Sequence, residues 1–275
     1  MRIVSRAPTV SFFILAYLIS WVFWLPLLFV DSEPGAFFML LFIVGGLGPF
    51  VAALIVSKMA GVSKGFRRLL FMWRVSFKWY LAALALPILV AIVATGVFVI
   101  VGGAPTFLPE TPPLYFYPLL LLFVMILGGG LEEPGWRGFA LPMLLKRYNP
   151  FVASMLVGTV WAFWHLPLFF APVSSQYDLP FGWYFLNTLA LSLVFTWLFL
   201  KSKGSTVTAI VLHGGVNAVF TWYPGISNIP TVLGTVHYYA PITVASWLIA
   251  GLMLLFGRDQ FFGHETPSDY LSVDL

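Results

Sequence analysis

The chain has 275 residues, of which 60% are hydrophobic, 18% aromatic and only 9% charged. An ordinary soluble domain carries about a quarter charged residues, so this composition excludes one and specifies an all-α, polytopic membrane protein. With a formal net charge of +4 and no cysteine, the chain forms no disulfide, iron–sulfur cluster or thiolate zinc site, and no basic patch interleaved with exposed aromatics points to nucleic acid.

A membrane-crossing helix needs about 20 apolar residues, which places spans near 10–30, 37–57, 79–102, 115–138, 153–172, 182–200, 205–222 and 240–257. Arg2 and Arg6 precede the first span and no small-residue cleavage site follows, so it reads as retained rather than as a signal peptide. About eight spans put both termini on one side. The later bases fall on that side too: Lys58, Lys64, Arg67, Arg68, Arg74 and Lys78 after span two, Arg137, Lys146 and Arg147 closing span four, Lys201 and Lys203 after span six, and Arg258 after span eight. That face, with both termini, is expected to be cytoplasmic in a multi-pass protein of the cell membrane. The opposite loops hold Asp31, Glu33, Glu110 and Asp178.

The chain reads as a single transmembrane domain over residues 1–275, without repeats, ending in a flexible acidic tail over 259–275 with Asp259, Glu265, Asp269 and Asp274. Residues 63–80 alternate bases with Phe66, Leu69, Leu70, Trp73 and Phe77, the pattern of an interfacial amphipathic helix, read chiefly as a juxtamembrane anchor and alternatively as a segment that attracts anionic lipid or a lipidated substrate. Trp21, Trp24, Trp183, Tyr184, Trp222 and Tyr223 read as interface belts, and Asn187, Thr188 and Ser192 as interhelical hydrogen bonds. His237 and His264 read as solvated.

From Leu114 to Arg147 no loop interrupts the apolar run, and a helix of that length outruns the hydrocarbon core, so part of it should protrude. Tyr148-Asn149-Pro150 is the turn into span five. Glu133 and His165 stand equally far from Asn149 along the two arms of this hairpin and are expected at equal depth; His213 falls near the same level in span seven. Glycines 128–130 and Pro134 should loosen the helix beside the acids, which is tolerable at membrane depth where backbone lines protein or water.

Ionisable groups at membrane depth usually mark a site, and three stretches carry them: Glu132, Glu133 and Arg137; His165; and His213 with Asn217. On a helix Glu133 and Arg137 are one turn apart in the favourable order for an ion pair, leaving Glu132 free for proton transfer. Each stretch alone could be structural, as a buried ion pair, satisfied core histidines or a helix cross-link. Together they supply the groups that activate water and stabilise an oxyanion, without the base-paired serine or the cysteine that a nucleophilic protease would use.

Glu-Glu-x-x-x-Arg, an aromatic-x-x-x-His and His-x-x-x-Asn, in this order on successive membrane helices, resemble the CPBP family of intramembrane proteases, which comprises CAAX-type prenyl endopeptidases and bacteriocin-processing enzymes and is also called the Abi family. The resemblance covers roughly residues 115–225, the expected catalytic core. It implies an intramembrane endopeptidase in which Glu132 and His165 activate the attacking water, His213 and Asn217 donate to the oxyanion, and Glu133 and Arg137 position the site or substrate. Trp161 stands where the family usually has Phe; with Trp136 and Trp164 it forms the candidate substrate-binding wall. The physical alternative is zinc chemistry, with Glu133, His165 and His213 as ligands. The expected partners are membrane lipid and a peptide or lipidated peptide. A silent binding or bacteriocin-immunity protein using the same cavity is the alternative function, followed by a transporter, for which the internal repeats are missing. Oligomeric state is not encoded in any readable feature.

Overall fold

Where water is absent, backbone amides and carbonyls must pair within their own segment, and the long apolar runs accordingly fold as helices. The computed structural model describes residues 6–30, 35–107, 111–223, 229–231 and 234–263. Arg2, Asp31, Glu33, Glu110, His264 and the tail acids Glu265, Asp269 and Asp274 lie outside the described residues.

Helix α1 (Pro8–Trp24) continues through a 3₁₀ turn at Leu25–Phe29, α2 (Ala36–Gly46) runs into α3 (Gly48–Met59), and α4 (Ser63–Leu70) is followed by α5 (Phe77–Ile100). Then come α6 (Tyr117–Leu127), α7 (Pro150–Trp164), α8 (Phe181–Lys201), α9 (Thr206–Val219), α10 (Tyr239–Phe256) and the short α11 (Arg258–Phe262). Among the described residues, seven helical segments are long and apolar enough to cross a membrane and Thr206–Trp222 is a shorter apolar helix, which is compatible with the expected count of about eight. This is the expected all-α multi-pass architecture. The one addition is an antiparallel ribbon of β1 (Ile229–Thr231) and β2 (Gly234–Val236), with Ile229 opposite Val236.

Three departures from the sequence pattern have local causes. The amphipathic helix stops at Leu70 rather than near Tyr80, because backbone carbonyls beyond it are taken by tertiary bonds: Ser205 Oγ donates to Met72 O and Tyr80 Oη to Trp73 O, each at 2.6 Å. Of the expected belt residues, Trp24 and Tyr223 are buried: the Trp24 ring centroid lies 4.4 Å from that of Trp164 and Trp24 Nε1 donates to Phe42 O. The segment expected as a tail begins with α11, where Phe261 is fully buried.

Small polar groups tie the helices together, as interhelical bonds in a membrane do. Ser192 Oγ of α8 donates to Ser154 O of α7 at 2.8 Å, and Asn187 Nδ2 donates to Tyr239 Oη of α10 at 3.1 Å. Thr188 instead bonds back to Tyr184 O within its own helix. The hairpin turn is capped by Asn149, whose Oδ1 accepts from Val152 N, with exposed Lys146 and Arg147 just before it.

Candidate active site

The backbone at the acidic motif is assembled from short pieces. Helix α6 ends at Leu127, Gly129 takes φ +117°, and the chain resumes as a 3₁₀ turn (Gly130–Glu132), one α-helical turn (Glu133–Gly135), a π-helical turn (Trp136–Ala140) and a last α-helical stretch (Leu141–Leu145). The left-handed conformation of Gly129 is open to glycine and costly for other residues. A Cβ there would also stand 2.5 Å from His213 Nε2 and 3.1 Å from Asn217 Nδ2. The loosened helix expected from the glycines and Pro134 is present, with the interruption at Gly129 and the proline just after it. Pro134 sits in the first turn of Glu133–Gly135, where a missing N–H costs nothing. A second close approach follows at Gly135, whose Cβ position lies 2.5 Å from Pro49 Cβ, so the acidic turn is wedged against the start of α3.

This broken segment turns the two glutamates to different partners. Glu133, fully buried, accepts from Arg137 Nη1 at 3.1 Å and meets His213 Nδ1 at 2.8 Å through the same oxygen, Oε1. Glu132 Oε2 accepts from Trp161 Nε1 at 2.7 Å and, more weakly, from Trp136 Nε1 at 3.4 Å. Its other oxygen, Oε1, lies 3.9 Å from His165 Nε2, beyond direct hydrogen-bond range.

The ring orientations follow from the same bonds. His165 Nδ1 lies 3.0 Å from Trp161 O; a carbonyl can only accept, so this nitrogen carries a proton and neutral His165 keeps Nε2 as an acceptor. His213 Nδ1 gives its proton to Glu133, leaving Nε2 on the Gly129 side. Arg137 lies between two rings, with its guanidinium carbon 4.6 Å from the Trp161 centroid and 4.3 Å from that of Phe195. The same two rings meet His213 edge-on at 5.5 and 5.8 Å. A buried guanidinium is tolerable when it is both paired and stacked.

A cavity of about 510 Å³ opens onto Glu132, Trp161, His165, His213 and Asn217. Asn217 Nδ2 donates to Gly128 O at 2.9 Å, which orients its amide and leaves a second N–H available. Glu133 and Arg137 stand behind these groups, fully buried. All six polar residues singled out by sequence are thus brought together. Of the three tryptophans, Trp161 lines the cavity, whereas Trp136 and Trp164 are fully buried behind it, edge to face at 5.6 Å. The suggested ligand set of Glu133, His165 and His213 does not converge, because Glu133 Oε1 is already engaged by Arg137 and His213. Among the described residues no three His, Asp or Glu side chains gather as metal ligands would.

Two further residues belong to the site. Phe195 gave no sequence signal beyond being apolar on α8, yet it walls Arg137, His213 and the cavity. Tyr184, expected in an interface belt, lines the cavity with its ring 5.5 Å from that of His165. Its position just after Trp183 suggested the belt, and only the packing of α8 against α7 turns it inward.

Comparison with known proteins places this constellation. The sequence model of the Type II CAAX prenyl endopeptidase Rce1-like family matches residues 113–219, the stretch that holds every polar group of the site. CAAX prenyl protease 2 of Methanococcus maripaludis is 31% identical over 273 residues, covering 91% of this chain and 94% of that protein. The chain belongs to the Rce1-like family. It is therefore a multi-pass membrane peptidase, and the similarity runs through the flanking spans as well as the matched core. In this Rce1-like peptidase the two glutamates and the two histidines lie inside the matched region, whereas the cavity wall also draws on Trp24, Phe42 and Tyr239 from outside it.

Proposed function

We propose that this peptidase cleaves a peptide bond near the C-terminus of a prenylated, CAAX-type substrate, the class named for its Methanococcus relative, using water activated by Glu132 and His165. The observation that carries the mechanism is the 3.9 Å separation of Glu132 Oε1 from His165 Nε2 on the wall of one cavity. Both atoms are acceptors when Glu132 is ionised and His165 neutral, so a water between them would give one proton to each hydrogen bond and present its oxygen lone pair to a carbonyl carbon.

The water oxygen would add to the scissile carbonyl carbon while its proton passes to Glu132. The C–N bond would then break as Glu132 returns that proton to the leaving nitrogen, regenerating the carboxylate. The carbonyl oxygen, negative in the intermediate, would accept from the free N–H of Asn217 and from His213 Nε2. A proton on Nε2 makes His213 an imidazolium, since Nδ1 already gives its own proton to Glu133, and the Glu133 carboxylate balances that charge. Arg137 would hold Glu133 in place. Trp161 would keep Glu132 aimed at the water.

The same reading takes residues 115–225 as the catalytic core of a single domain. It takes the protein to lie in the cell membrane with both termini cytoplasmic. The test is a peptidase assay on purified protein with prenylated and unprenylated forms of one C-terminal peptide. Cleavage of the prenylated form, reduced about 10²–10⁴-fold in Glu132→Gln with the melting temperature unchanged, is the expected result. Turnover by Glu132→Gln near that of the unmodified protein would remove the mechanism, and equal cleavage of both peptides would remove the substrate class.

A further inference from the structure

A second concavity, remote in sequence from the catalytic motifs, lies at the end of the bundle where α3 leads into α4. It measures about 810 Å³ and is formed by the connection between α4 and α5 together with Lys201, Ser202 and Lys203 after α8. Five of its lining side chains are cationic, Arg68, Arg74, Lys78, Lys201 and Lys203, and none is acidic. Like charges crowded around one concavity repel and give it a positive potential that favours an anion.

The walls are fixed rather than loose. Ser205 Oγ donates to Met72 O at 2.6 Å, joining the two segments, and Ser202 Oγ lies 3.0 Å from Thr208 Oγ1, pinning the loop to α9. Lys203 adopts φ +60°, uncommon for a residue with a Cβ, which turns the chain sharply at the pocket. Two cations lie over rings, Arg74 at 4.9 Å from Trp73 and Lys78 at 4.8 Å from Trp79. Ser76 precedes α5, no side chain caps that helix, and Ser76 and Lys78 both line the pocket. The positive end of a 24-residue helix therefore borders it as well.

What surrounds the pocket selects the source of the anion. Phe71, Trp73 and Phe77 are 70%, 60% and 71% exposed beside these cations. Aromatic groups exposed next to bases at the end of an apolar bundle sit at the headgroup level of a bilayer, where acyl chains cover the rings and phosphates meet the cations. We propose that this pocket binds the phosphate group of an anionic membrane lipid.

The test uses the full-length peptidase reconstituted with phosphatidylcholine alone or mixed with phosphatidylglycerol, extracted, and examined by native mass spectrometry for retained lipid. Phosphatidylglycerol is expected to be retained over phosphatidylcholine by about tenfold, and the preference to be lost in the Arg74→Gln, Lys203→Gln double variant. A control that removes the same charge outside the pocket, Lys58→Gln with Lys64→Gln, should keep it. Both variants are compared after confirming that their melting temperatures in phosphatidylcholine match the parent; if the double variant fails this check, Lys203→Gln alone is used. Equal retention of the two lipids, retention undiminished by the pocket substitutions, or equal loss in the control overturns the proposal. Inorganic phosphate that displaces phosphatidylglycerol and stabilises the protein equally would assign the pocket to a soluble phosphate and likewise overturn the lipid.

Discussion

His213 Nδ1 and Arg137 Nη1 converge on one oxygen of Glu133, at 2.8 and 3.1 Å. The pair of His213 and Glu133 joins two helices eighty residues apart in sequence, and it determines which nitrogen of His213 is turned toward the Gly129 side of the cavity. Glu133 is fully buried behind the cavity and holds both the guanidinium and the imidazole in place.

Removing the oxyanion donors tests that arrangement. His213→Ala and Asn217→Ala are expected to lower kcat by about 10²–10³-fold with little change in KM, because such donors act mainly on the transition state. Steady-state kinetics on a short cleavable peptide separates the two constants. A rise in KM at unchanged kcat would make these residues substrate holders instead.

Arg137→Ala should behave differently. It leaves Glu133 as a buried carboxylate without its guanidinium and empties the space between Trp161 and Phe195, so stability is expected to fall by about 3–5 kcal/mol along with activity. Thermal unfolding in detergent measures it. An unchanged melting temperature would mean that the pair contributes nothing to the fold.

Trp161→Phe keeps a ring over Arg137 and His213 but deletes the 2.7 Å hydrogen bond to Glu132. A bond to a charged group contributes about 1.5–3 kcal/mol, and each 1.36 kcal/mol is tenfold in rate, so kcat should drop about tenfold or more. Full activity in this variant would show that the indole serves only as a wall.

Gly129→Ala combines a disfavoured backbone conformation, costing about 1–3 kcal/mol, with a methyl group driven into His213 Nε2. Activity should be lost and the melting temperature lowered. Gly182→Ala, at a position with open space around it, should change neither, and a Gly129→Ala protein as active as that control would refute the close approach.

Orientation is checked with reporter fusions. A fusion after residue 108 should report the outside and one after residue 203 the inside, as the distribution of bases requires. The reverse pattern at either point would overturn the cytoplasmic placement of the termini.

The sequence by itself determined the membrane architecture, the spans and the polar residues of the site, because a charged or imidazole group in an apolar run stands out against a background that cannot solvate it. Counting outward from Asn149 also predicted that the acidic motif and His165 would meet, since antiparallel helices of equal rise keep depth in step with residue number. It could not fix azimuth. Which glutamate turns to which histidine depends on the left-handed turn at Gly129 and the wide turn at Trp136–Ala140, and each shifts the side chains around the axis in a way no periodic helix would. Phe195 was silent and Tyr184 was assigned to a belt for a related reason: an aromatic residue has the same composition signal whether it faces lipid, a neighbouring helix or a cavity. Only the packing of α8 against α7 and α9 decides among these, because burial of an apolar ring is favourable in any direction that excludes water.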